Sequence, residues 1–465
     1  MNYYERTLIL TLLVIACLLG LHFLPSMAVG EVELRRVNLL SDLFPERTAV
    51  ESEETVLPES DPVTVQTEER AAFVTECPEG VTCIEDYADS LAEGMEPFYR
   101  KLAEAGSVGT PVRIAYFGDS FIEGDIFTAD LRDLLQSRFG GCGVGFVDIA
   151  SVTSGFRQSV RATSRNFHIH SITDSIFNRT YMGVNERYFT TGAGSASVTL
   201  SGTRYGNCTG RASRSSVYFL TTGPLQVSAR VNDDDRRVYS FSGKTVLQHA
   251  TVEGDIRKVA WTVERDSLMS PAYFYGTTMD CDTGIILDNF SLRGSSGQTL
   301  ASIPRGHLEE FARLRPYDLI VLHFGLNVAH AKSAALRYKG YVMQMQKVIR
   351  LFREVYPQAS LLIVSVSDRD ARNEKGEITT MNGIRSLVTA QQNLARESGT
   401  AFWNLFQAMG GEGSMKELAE KQPPMANKDY THLNFRGGRF LAQKFYDALM
   451  AGVANYERKM NYEKN

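Results

Sequence analysis

A carboxylate three residues ahead of a histidine on one short loop, Asp429-Tyr430-Thr431-His432, can orient and polarise that imidazole. Such a dyad needs only a nucleophile to become a triad. Gly118-Asp119-Ser120 offers one, because it ends the apolar run Val112 to Phe117 and precedes a helical pattern, which places Ser120 at a strand-to-helix turn. Two further stretches supply donors for a developing negative charge. Phe324-Gly325-Leu326-Asn327 follows the apolar run Asp318 to His323, which sets the Asn327 amide at the carboxyl edge of a sheet, where ligands bind in open α/β folds. Leu292-Arg293-Gly294-Ser295-Ser296-Gly297 follows Ile285 to Leu287, and a glycine there lets a backbone N–H approach a ligand closely. Gly294 is the candidate; Gly297 and Gly155 compete for the role.

The elements that must position these residues are readable from periodicity. Phe127, Leu131, Leu134, Leu135 and Phe139 recur at helical spacing behind the Ser120 turn, and Gly140, Gly141 and Gly143 stop that helix. Runs such as Leu361 to Val366 have the continuous apolar character of parallel strands buried on both faces, and they alternate with helical stretches at 341–355 and 384–397. Between these halves the texture changes. From about Gly155 to Cys281 short alternating runs, among them Leu225 to Val231 and Val259 to Val263, are separated by turn residues, which predicts an all-β sandwich. The segment 155–281 therefore interrupts one α/β domain, and Ser120 and His432 belong to the same domain.

Composition limits the partners. The chain has 465 residues, 43% of them hydrophobic, enough for a large core and more than one domain. Its formal net charge of -5 gives no footprint for nucleic acid, and none is expected as a partner. Thr7 to Leu24 is almost unbroken apolar sequence of bilayer-spanning length, with Arg6 before it and Glu31 and Glu33 after it. This predicts a cytoplasmic stub at 1–6, a transmembrane anchor at 7–24 and an exported remainder, with a cleaved signal peptide as the rival reading. From Glu46 to Arg70 there are eight acidic residues, two basic and no aromatic, so 25–76 reads as a disordered tether.

Histidine, cysteine and acidic residues elsewhere have bland readings. Cys77 and Cys83 flank a turn and could close a small disulfide loop in an oxidising envelope, or stay as two thiols. No Cys-x-x-Cys spacing supports zinc, His168-x-His170 lacks a third ligand, and Asn232 to Asp235 reads as a hairpin turn before it reads as a calcium site. No metal or other cofactor is expected. Glu123, Asp125 and Asp368 are read as solvated or capping, and His323 as a buried strand residue, with His330 facing the cleft mouth.

The four blocks Gly118-Asp119-Ser120, Gly294, Gly325-x-Asn327 and Asp429-x-x-His432, in that order and followed by Leu433 and Gly437, resemble those of the SGNH (GDSL) hydrolase superfamily. The resemblance spans about residues 85 to 455. It implies a flavodoxin-like, three-layer α/β hydrolase domain with a parallel sheet, here 77–154 together with 282–458. It also implies Ser120 as nucleophile, His432 as general base and then acid, Asp429 as the orienting carboxylate, and an oxyanion hole from Ser120, Gly294 and Asn327. Gly118 through Phe146 is similar to envelope peptidoglycan O-acetylesterases of bacteria, which carry a jelly-roll, carbohydrate-module-like insertion, here 155–281. Phe121 and Val328 depart from the usual pattern.

These readings converge on a serine esterase that removes O-acetyl groups from an envelope glycan such as peptidoglycan, anchored in the inner membrane with its catalytic domain in the periplasm. An O-acyltransferase with the same triad and a sugar hydroxyl as acceptor is the first alternative. A non-catalytic glycan-binding protein, using the inserted β domain, is the second.

Overall fold

Five of the apolar runs lie side by side as parallel strands, in the order Ile285–Ser291, Val112–Gly118, Leu319–His323, Ser360–Val364 and Ala401–Trp403, and Glu85–Asp86 closes the far edge antiparallel. Val112–Gly118 is almost wholly buried and Leu319–His323 entirely so, because helices cover both faces of the sheet and leave no strand surface for polar side chains. The computed structural model describes residues 28–29, 32–33, 73–88, 94–105, 109–265, 270–330 and 338–464. Its residues divide into one unit up to Ala71 and a second from Ala72 on. Within the first, Ala28–Val29 pairs antiparallel with Val32–Glu33.

Register decides where chemistry can happen. Gly118 is paired with Ser291 on one side and with His323 on the other. The loops that leave these three strand ends therefore rise together, and they carry Gly294, Ser120 and Asn327. Chain order makes the same point: the neighbours of Val112–Gly118 lie on opposite sides of it and both come later in sequence, so the strand sits at a topological switch point.

The strands of the insertion build two antiparallel sheets. One has the order Arg237–Phe241, Leu225–Val231, Lys258–Arg265, Gly194–Gly202, Val160–Arg165. The other runs Lys244–Ile256, Ala212–Thr221, Ala272–Met279, Arg187–Thr191, Phe167–Ser171, with Gly145–Val147 also paired to Ala272–Met279. In Leu225–Val231 the residues Leu225, Val227, Ala229 and Val231 are buried while Gln226 and Arg230 are exposed, the period-two signature of a strand with one largely wet face, on which Ser228 alone is covered. Trp261 is buried against them, and its indole N–H donates to Ser215 Oγ at 3.0 Å. The sheet holding Phe146 and Tyr218 also packs its other face onto the hydrolase, where Phe146 lies 5.1 Å from Phe290 and 5.9 Å from Phe311 between ring centres.

Two expectations are corrected. The expectation was an α/β fold interrupted by an all-β sandwich and preceded by a transmembrane helix; the described residues form a mixed α/β fold with several antiparallel sheets and give no support to the transmembrane helix. Thr7 to Leu24 lies outside the described residues, and among those described no helix is long and apolar enough to cross a membrane. The longest, Phe435–Lys464, has 30 residues but carries Arg439, Lys444, Asp447, Arg458 and Lys459 along its length. Membrane attachment through a spanning helix is accordingly unsupported. Disulfides join Cys77 to Cys83 and Cys142 to Cys281, while Cys208 is a thiol. The second bridge was not anticipated. It fastens the chain where it leaves for the inserted sheets to the point of its return.

Candidate active site

Ser120 stands two residues beyond the end of Val112–Gly118, with the buried Asp119 between. Its Oγ lies 3.3 Å from Nε2 of His432, and Nδ1 of the same ring lies 2.8 Å from Oδ2 of Asp429. Since an ionised carboxylate only accepts, the ring proton sits on Nδ1 and leaves Nε2 as the acceptor facing the serine. Burial raises the Asp429 carboxyl, but the backbone N–H and ring of His432 and the N–H of Thr431 outweigh it and hold the group below its ordinary value. The spacing of three residues works because the loop turns tightly: Asp429 Oδ1 accepts the N–H groups of Thr431 and His432 at 3.0 Å each.

This loop is delivered by the helix that follows it. Asn434 Oδ1 accepts the N–H groups of Arg436 and Gly437 at 2.9 and 3.2 Å and so caps Phe435–Lys464. Gly438 faces the carbonyl of Ile126 so closely that a Cβ there would collide with backbone. That contact presses the helix start, and the histidine before it, against the loop that follows Ser120.

Asn327 lies on the far side of the serine strand. Its Nδ2 donates to Asp119 Oδ2 at 3.0 Å and to the carbonyl of Ser295 at 2.8 Å, so both amide hydrogens are already committed. Asp119 Oδ1 in turn accepts the Phe121 N–H at 2.9 Å. Burial pushes the Asp119 carboxyl up to about 6, against those two hydrogen bonds and the nearby His432. Sequence reading assigned Asp119 no role beyond its place in the Gly-Asp-Ser block; its position next to Ser120 was the available signal.

Gly294 has φ of 77°, a left-handed backbone that favours glycine, while an added Cβ would meet nothing within 4 Å. Conformation, not space, selects the residue. Among the described residues the N–H groups of Ser120 and Gly294 have no acceptor, whereas the Gly297 N–H donates to Ser295 Oγ at 3.0 Å. Gly155 lies in the short helical turn Ser154–Phe156, outside the 292–298 loop. Arg293 Nε donates to Glu123 Oε2 at 2.7 Å and ties the Gly294 loop to the loop beyond Ser120.

Other candidates fall elsewhere. Asp125 is not solvated: it is fully buried, 3.1 Å from Arg132 and 2.9 Å from Arg157. Burial alone would raise its carboxyl, but the two guanidinium groups hold it far below the usual carboxylate range. Asp368 Oδ2 accepts the Met415 N–H at 3.1 Å and caps the helix Ser414–Glu420. His323 is buried behind the site, 4.9 Å from Phe121 between ring centres and 3.1 Å from the Tyr116 hydroxyl, and burial lowers it to about 3. His170 is 2.9 Å from Thr190 Oγ1 and stacks on Tyr188. Among the described residues no group of three or more His, Cys, Asp or Glu could hold a metal ion.

No family model and no curated protein matches the chain. Among solved structures it is similar to a peptidoglycan O-acetylesterase, at 22% identity and a TM-score of 0.65, with 80% of this chain and 99% of that chain covered. An acetyl xylan esterase matches at 17% identity and a TM-score of 0.28, covering 35% of this chain and 81% of its own. A family two carbohydrate esterase from Cellvibrio japonicus matches at 9% and 0.20, covering 52% and 87%. The last two scores are too low to carry an argument. The first spans most of both chains, and it shows that this chain shares the fold of that peptidoglycan O-acetylesterase.

Proposed function

We propose that the chain is a serine esterase that removes O-acetyl groups from an envelope glycan. The hydrogen-bonded relay Ser120, His432, Asp429 carries the proposal. His432 Nε2 takes the proton of Ser120 Oγ as the oxygen attacks the acetyl carbonyl, and Asp429 stabilises the imidazolium that forms. The carbonyl oxygen, now negative, is received by the N–H groups of Ser120 and Gly294 and by Asn327 Nδ2. His432 then returns the proton to the departing sugar oxygen, which leaves an acetyl group on Ser120. Water, deprotonated by the same imidazole, releases acetate and restores the serine. Residues 77–154 and 282–458 carry this chemistry, and 155–281 is the inserted module; two disulfides favour an oxidising compartment.

Acetate release from O-acetylated peptidoglycan, measured for the full chain beside Ser120→Ala, tests the reading. Wild type should release acetate and the variant should not, and a fluorophosphonate should label Ser120 alone. Acetate release undiminished in Ser120→Ala would overturn the assignment. Transfer of the acetyl group to an added sugar in preference to water would replace hydrolysis by acyl transfer.

A further inference from the structure

The loop that carries Gly294 is fastened at both ends by one turn of the inserted module. That turn, Gly183 to Arg187, leads into the strand Arg187–Thr191 of the six-stranded antiparallel sheet and is closed by Glu186 N–H to the Gly183 carbonyl and Gly183 N–H to the Arg187 carbonyl, both at 3.0 Å. Arg187 Nη1 reaches out of it and donates to the carbonyl of Ser291 at 3.1 Å, the last residue of the strand before the Gly294 loop. Glu186 Oε1 accepts the hydroxyl of Thr299, which lies in the helical turn Gln298–Ser302 directly after that loop. Between these two attachments lie Gly294, with its unengaged N–H, and Ser295, whose carbonyl holds the Asn327 amide.

The turn is itself built to stay put. Arg187 Nη1 also donates to Asp148 Oδ2 at 2.8 Å, and Asn185 Nδ2 donates to Asp148 Oδ1 at 2.7 Å and to the Tyr275 carbonyl at 3.0 Å. Glu186 has φ of 58°, a left-handed conformation that costs a non-glycine residue on the order of 1–2 kcal/mol and persists only where surroundings impose it. It is 3% exposed, and burial pushes its carboxyl up to about 7, so the chain buries an ionisable group at this spot where a glutamine would have met the same hydroxyl.

We infer that Glu186 and Arg187 are positioning residues for ester cleavage: the inserted module clamps the two ends of the 292–298 loop and thereby aims the Gly294 N–H at the oxyanion site and sets the Ser295 carbonyl that orients the Asn327 amide. The inference rests on the esterase reading above. It makes the module part of the catalytic geometry, in addition to any glycan it binds. A clamp that merely held two lobes together would affect stability; a clamp that aims donors affects the transition state.

The test uses the full chain and a small acetyl ester that has no glycan to bind. Glu186→Ala and the isosteric Thr299→Val should each lower kcat about tenfold or more with KM within about twofold of wild type, because donors displaced by a fraction of an ångström cost transition-state binding first. Affinity for an arylboronate, which forms a tetrahedral adduct on Ser120, should fall by the same factor. Glu186→Gln, which keeps an acceptor for Thr299, should restore both. Unchanged kcat and boronate affinity in folded Glu186→Ala and Thr299→Val would overturn the clamp and leave the esterase reading standing. A wild type that neither cleaves the ester nor binds the boronate would remove the esterase reading, and the clamp with it.

Discussion

In the proposed reaction Asn327 has no spare hydrogen to offer, since its amide has two and both are given to Asp119 and Ser295. A substrate oxygen must therefore win one of them, and the weaker holder gives way. Asn327→Ala should cost roughly 100- to 1000-fold in turnover, the usual loss for one oxyanion donor. Asp119→Ala, which frees the amide to swing, should cost about tenfold or more in kcat with KM retained; an effect on KM alone would mean that Asp119 only shapes binding. Glu186 offers a check that needs no substrate. Its folded pKa is raised to about 7 from an ordinary value near 4.5, so the stability it contributes is complete below about pH 4.5 and is lost as pH rises through 7. Glu186→Gln should therefore gain on wild type by about 3 kcal/mol between pH 5 and pH 8 in urea unfolding, and parallel curves at the two pH values would show that the carboxyl ionises freely. At this scale the hydrogen-bonded row of Ser120, His432 and Asp429 was legible because Asp429 and His432 are near neighbours on one loop and Ser120 follows an apolar run. Asp119, Ser295 and Glu186 were not legible, because their partners are set by the register of strands far apart in sequence.

Elements were legible in proportion to how completely they are buried. Val112–Gly118 and Leu319–His323 announce themselves as unbroken apolar runs because helices cover both faces, and Leu225–Val231 alternates because only one of its faces is covered. The Cys142–Cys281 bridge left no such trace: nothing local marks a pair 139 positions apart, and Cys77 with Cys83 drew attention only because they flank a five-residue turn. Loop entropy ranks the two bridges in the opposite order of visibility. Closing 139 residues constrains the unfolded chain by roughly 5 kcal/mol, and closing six by roughly 2. Replacing Cys142 and Cys281 together with serine should lower unfolding free energy well beyond the paired change at Cys77 and Cys83. Equal losses in denaturant titrations would show that the long bridge joins segments already held together in the unfolded state.

The molecule as a whole joins its inserted sheets to the hydrolase sheet through a buried ion network. Arg315, at the end of the helix Arg305–Leu314, donates to Asp280 at 2.6 and 2.9 Å where the chain returns from the insertion, and to Asp288 at 2.7 Å in the strand beside the serine strand. Asp288 Oδ1 also accepts the Phe146 N–H at 2.8 Å, from a strand on the inserted side. Burial alone would raise the Asp288 carboxyl, but the Arg315 guanidinium beside it holds it below its ordinary value. Removing the arginine leaves two buried carboxylates without their counter-charge, a loss typically of about 3–5 kcal/mol. Because those carboxylates belong to both lobes, the loss should fall on a single transition. Calorimetry of the full chain should show one unfolding endotherm for the residues that follow Ala72, and Arg315→Met should move the whole of it to lower temperature. If the wild type instead unfolds in two steps, and Arg315→Met shifts only one of them, the inserted sheets fold on their own and the network is a local ion pair. One endotherm that moves intact would mean that the sandwich and the site it clamps are lost together, so that any change weakening the insertion is read out as lost esterase.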